Sequence, residues 1–140
     1  MTRINIHNLL LWIEDLETTT APQVQHTLAK PVDVAGTIGY CCLGRACEVA
    51  IANGLKVIKV EDNGFLYDGS CSYLPASVVI WLGMTENPVI HNYKGEKYTA
   101  DDMNDALEYS FAEIAKAFRE EYAEEISEYL EVRGPVVPAI

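Results

Sequence analysis

From Ser110 to Tyr129, apolar side chains recur at every third or fourth position: Phe111, Ile114, Ala115, Phe118, Tyr122, Ile126 and Tyr129. That is the period of one face of an α-helix, and Ser110 with Glu113 makes a capping box at its head. The spacing predicts a single helix of about five turns, roughly 30 Å long at 1.5 Å per residue. An amphipathic helix is only marginally stable alone in water, so the rest of the chain has to supply the layer that buries this stripe.

Further segments share that helical period. Asn5 is placed to cap a helix carrying Ile6, Leu9, Leu10, Ile13 and Leu16, which ends where Thr18, Thr19 and Thr20 lead into Pro22. Leu43, Ala46, Cys47, Ala50 and Ile51 mark a second helix, stopped by Asn53-Gly54. Gly44 near its start costs about 1 kcal/mol of helix propensity relative to alanine, which implies that another segment passes close by. Leu74-Pro75 opens a short helix through Val78, Val79, Trp81 and Leu82 to Gly83, and Thr99 with Asp102 opens another that runs to about Leu107. Between these lie hairpin signals: residues 56–60 and 65–67 flank Asn63-Gly64, and residues 89–93 and 96–99 flank Lys94-Gly95. Gln23 to Thr37, with Val24, His26 and Leu28 alternating, reads as a short strand or an irregular loop.

The expected architecture is α+β: three or four helices packed on a small antiparallel sheet of β-hairpins with four strands or more. The chain has 140 residues, of which 49% are apolar and 22% charged, values typical of one globular domain. Residues 1–133 are expected to form that domain, and 134–140, interrupted by Pro135 and Pro138, an extended tail.

Charge narrows the functional classes. Residues 1–100 hold 10 acids and 7 bases, net −3, whereas residues 101–140 hold 11 acids and 3 bases, net −8. Such a surface repels phosphate backbones, so direct nucleic-acid binding is not expected. No apolar run approaches the roughly 18 residues of a membrane span. Asn5, His7 and Asn8 before the N-terminal apolar cluster, and Glu14, Asp15 and Glu17 after it, break any signal-peptide pattern. The expected location is the cytoplasm, where the four cysteines remain thiols.

Three of those cysteines, Cys41, Cys42 and Cys47, fall within seven positions. A zinc site would need a closer pair plus His26 or Cys71, because Cys42 and Cys47 point about 140° apart on a regular helix. A nucleophile would be Cys42, near the positive end of the helix dipole and one turn from Arg45, with His26 or His91 as its base. The ordinary role of such thiols is to fill a core. Asp101, Asp102 and Asp105 could hold a divalent metal, although acids at a solvated helix start are the commoner explanation. No phosphate loop, zinc-protease motif or hydrolase elbow occurs, and no cofactor or metal is expected. A nucleotide-like ligand trapped between subunits of an oligomer would need Arg45, Lys56, Lys59, Lys94 or Lys97 to cluster, with Cys42, Arg45, Lys56 and Lys59 as the candidate binding residues.

The glutamate face of the last helix is the more unusual surface. Glu120 with Glu124, Glu121 with Glu125, and Glu124 with Glu128 are like-charge pairs four residues apart, each unfavourable by a few tenths of a kcal/mol. A solvated face would tolerate them. Docking to a basic partner, or to another copy of the chain, would neutralise or bury them, with Tyr122 and Tyr129 as large amphipathic contacts and Tyr109 nearby.

Three stretches, YCCLGRACEVA at 40–50, YLPASVVIWLG at 73–83 and MNDALEYSFAEIAKAF at 103–118, together resemble a group of small bacteriophage and prophage proteins of unknown function. The chain departs from the pattern in carrying Met103 where leucine is expected and Leu107-Glu108 where a glycine-bearing turn is expected. The resemblance implies a phage origin and assigns no catalytic residue. The expected function is therefore non-enzymatic: an accessory protein in the bacterial host cytoplasm that binds and inhibits a host or defence protein through its acidic helix. The alternatives are the nucleotide sponge and a thiol enzyme using Cys42.

Overall fold

The computed structural model describes residues 4–133, and the expected tail at 134–140 lies outside them. Twelve elements follow one another: α1 (Ile6–Thr18), β1 (Ala29–Pro31), β2 (Ile38–Tyr40), α2 (Cys42–Ala52), β3 (Lys59–Glu61), β4 (Phe65–Tyr67), α3 (Ala76–Trp81), β5 (Val89–Tyr93), β6 (Glu96–Thr99), α4 (Ala100–Asp105), α5 (Phe111–Glu121) and α6 (Ala123–Arg133). The α+β class is as the patterning predicts. The strands pair as three antiparallel ladders, β1–β2, β3–β4 and β5–β6, that do not join into one sheet.

Local chemistry accounts for the boundaries. Asn5 accepts the Asn8 N–H at the head of α1, Thr99 accepts that of Asp102 at α4, and Ser110 and Glu113 form the reciprocal capping box of α5. Lys94 and Gly95 both have positive φ, 52° and 84°, which suits the tight turn between β5 and β6. Pro75 precedes α3 as its cap rather than standing as its first residue.

Of the alternatives for Gln23 to Thr37, the irregular loop holds through Val24, His26 and Leu28, the chain bending at His26, whose φ is 66°, and a short strand begins at Ala29, pairing with Tyr40. One sequence expectation is corrected. The predicted five-turn helix breaks at Tyr122, where φ −109° and ψ 23° end α5 and let α6 start one residue later. The apolar period continues across the break, which is why the sequence does not announce it.

The core lies where α1, α2 and α5 meet. Leu9, Trp12 and Ile13 of α1 are fully buried, as are Leu43, Ala46 and Cys47 of α2 and Ile114 and Phe118 of α5. Each large apolar side chain so buried is worth roughly 1.5–3 kcal/mol over its exposed state. The Trp12 and Phe118 rings pack at 4.9 Å, and the Trp12 Nε1–H donates to the Cys42 carbonyl at 2.9 Å. Gly44 is required by packing, since a Cβ there would stand 1.9 Å from the Leu28 carbonyl oxygen. Around the core, Arg45 forks onto Asp15 at 2.9 and 2.8 Å and Arg119 onto Glu17 at 2.7 and 2.9 Å, tying α2 and α5 to α1.

A buried polar residue joins α4 to this frame. Asn104 has no exposed surface, and its Oδ1 accepts from Gln23 Nε2 at 2.8 Å and from the Cys42 N–H at 3.0 Å. Its Nδ2 donates to the Val24 carbonyl and to Asp105, both at 2.8 Å. A single amide thus satisfies one free N–H at the start of α2 and holds the 23–26 bend against α4.

Candidate functional site

Where α6 runs past the start of α1 it leaves a groove of about 830 Å³, lined by Ile4, Ile6, His91, Glu121, Tyr122, Glu125, Glu128, Tyr129 and Val132. Its floor is apolar and its α6 wall acidic. Tyr122 is 9% exposed and stacks parallel on Phe118, with centroids 6.3 Å apart. Burial, and then the charges of Glu121 and Glu125, push its phenol up to about 12. It therefore stays protonated at neutral pH and serves the groove as an apolar plate.

The two ends of the groove are held by histidines. At one, the His91 backbone N–H donates to Glu121 Oε1 at 3.2 Å, and the ring Nδ1 lies 2.7 Å from Oε2. At the other, His7 Nδ1 lies 2.8 Å from the Tyr129 hydroxyl. These contacts tie the end of α5 to β5 and α6 to α1, one on each side of the helix break.

Five of the seven residues expected to contact a partner line this groove: Glu121, Tyr122, Glu125, Glu128 and Tyr129. Glu120 and Glu124 are exposed elsewhere on the surface. Two details differ from the sequence expectation. Glu121 is engaged by His91, and Tyr122 belongs to the core as much as to the surface, its ring stacked on Phe118 one turn before it. Ile4, Ile6, His91 and Val132 are lining residues the sequence reading missed. Val132 was legible in principle, standing seven residues after Glu125 and three after Tyr129.

The other sequence candidates do not converge. Cys42 is fully buried, its Sγ donates to the Ala100 carbonyl at 3.4 Å, and burial drives its thiol well above the usual range. Burial likewise raises Cys47, and raises Cys41 to about 11; the Cys41 sulfur caps α2 by accepting from the Gly44 N–H. The expected dipole activation of Cys42 is thus outweighed by desolvation, and Arg45, taken by Asp15, is not available to it. His26 faces Asp105 and His91 faces Glu121.

Among the basic residues, Lys59 pairs with Glu48 at 2.7 Å and lies 4.1 Å over the Phe65 ring. Lys56 is exposed, and Lys94 sits over Tyr93 and Tyr109. Cys42, Arg45, Lys56 and Lys59 therefore do not form one basic cluster. Asp105 is consumed by Asn104 and the His26 N–H, while Asp101 keeps one buried oxygen without a hydrogen-bond partner. Among the described residues no three His, Cys, Asp or Glu side chains are placed to share a metal ion, and no helix is long and apolar enough to cross a membrane.

Comparison with family models, with curated proteins and with solved structures finds no match, so the functional reading rests on this chain's own geometry.

Proposed function

We propose that the protein is a non-catalytic binding protein that docks a basic surface of another protein on the acidic, apolar-floored groove along α6. One observation carries the reading: five residues singled out from sequence for charge and amphipathic character line a single groove. An apolar floor supplies affinity through burial, and the acidic wall supplies specificity and faster encounter with a basic partner. The net charge of −11 adds a long-range attraction of the same sign. The resemblance to small phage and prophage proteins makes a host or defence protein, bound and inhibited in the bacterial cytoplasm, the partner of choice.

The small-ligand alternative lacks a basic cluster to receive phosphate, and the thiol alternative rests on a buried Cys42. Self-association through the groove would bring glutamates onto glutamates.

Capture from bacterial lysate tests the proposal. A specific partner should be retained at low salt, released as screening rises, and lost with Glu125→Lys/Glu128→Lys. A partner retained equally by that double variant would remove the groove from the function.

A further inference from the structure

The geometry points to the occupant of the groove: an amphipathic helix with basic residues flanking its apolar seam, packed alongside α6. This inference rests on the proposed docking role of the groove. The lining residues supplied by the end of α5 and by α6 are spaced as a helix–helix seam is spaced. Tyr122, Glu125, Tyr129 and Val132 stand at i, i+3, i+7 and i+10, the interval of alternating a and d positions. Glu121 and Glu128 immediately precede Tyr122 and Tyr129, the g positions at which charge selects a partner helix. Glu125, a carboxylate within the seam itself, calls for a basic side chain opposite and so fixes register.

The rise per residue favours a helix over an extended segment. Seam residues of α6 are separated by about 4.5 and 6 Å along the axis, and a second helix repeats those steps. An extended chain presents same-side residues about every 6.6–6.8 Å and falls out of step. Strand addition meets a second obstacle, because the β5 N–H that faces the groove, that of His91, is already donated to Glu121. The seam is most accessible at its far end: Val132 is 88% exposed and Glu125 and Glu128 are exposed beside it, whereas Tyr122 at its start is 9% exposed.

Two synthetic peptides of identical composition test the inference, each of about 18 residues or five turns. One carries leucine along a heptad seam with lysine at the flanking positions and at the single seam position set opposite Glu125; the other scrambles the same residues so that no stripe remains. Calorimetric titration into the full chain should show the patterned peptide binding about tenfold or more tighter, with a gain of helical circular dichroism. Glu125→Lys/Glu128→Lys should weaken it about tenfold and transfer preference to a peptide with glutamate replacing lysine, while Glu61→Lys on β3 leaves it unchanged. Val132→Asp, at an exposed position that the fold does not need, should weaken both charge versions.

Equal affinity for the patterned and scrambled peptides would overturn the helical occupant and leave protein docking standing. Binding of neither peptide, together with partner capture insensitive to Glu125→Lys/Glu128→Lys, would remove the docking role as well.

Discussion

Single side chains decide more of this structure than their chemistry suggests. The Asn104 amide serves four partners in a site with no exposed surface. Asn104→Ala strands a buried N–H of α2 and a buried carbonyl, and should cost about 2–4 kcal/mol of stability, read as a lower denaturant midpoint, since each unsatisfied buried group costs about 1–3 kcal/mol. Gly44 acts through absence: Gly44→Ala improves helix propensity yet drives a methyl into the Leu28 carbonyl, so the helix gain should be lost in a net destabilisation of about 1–3 kcal/mol. The reactivity of the cysteines is ordered by exposure. Of the four, only Cys71 is exposed, so a thiol reagent at neutral pH should label one site rapidly in the folded protein and all four after unfolding. Rapid labelling of Cys42 in the folded state would reopen thiol chemistry.

At the scale of elements, helices placed by strong local signals are held by a few specific ties. The α5 capping box is local, and Ser110→Ala should lower stability by about 1 kcal/mol without moving the groove. The Glu17–Arg119 pair is a tie between elements: its hydrogen bond to Arg119 holds the Glu17 carboxyl below its usual range. A depressed carboxylate stabilises the fold above its unfolded pKa, and that stabilisation is lost as pH falls through the lower folded value. Acid titration of the folded protein should therefore show Glu17 protonating below the ordinary glutamate range, and Arg119→Gln should remove the depression. The break at Tyr122 is the element-scale event the helical period conceals: Tyr122 still stacks on Phe118 as an i, i+4 pair would, while His91 ties the end of α5 to β5 and His7 ties α6 to α1.

For the whole molecule, the governing quantity is a net charge of −11 with most of it near the C-terminus. Self-repulsion of that size predicts a melting temperature that rises with added salt, and a smaller rise for a variant with Glu120, Glu124, Glu125 and Glu128 changed to glutamine. A melting temperature indifferent to salt in both would mean that the glutamates are too well solvated to matter.

The sequence alone determined the α+β class, the caps of α1, α4 and α5, the hairpin turns and the acidic character of the last helix. These depend on period, turn chemistry and composition, all local properties of neighbouring residues. It also marked five residues of the groove, since charge and helical period travel together along one helix. Only the tertiary structure decided that the last helix breaks, that the hairpins stay separate, that Asn104 is the hub of the 23–26 bend, and that Ile4, Ile6 and His91 complete the groove. Those outcomes turn on which distant segments share space, and a one-dimensional pattern carries no record of that until packing brings α1, β5 and α6 together.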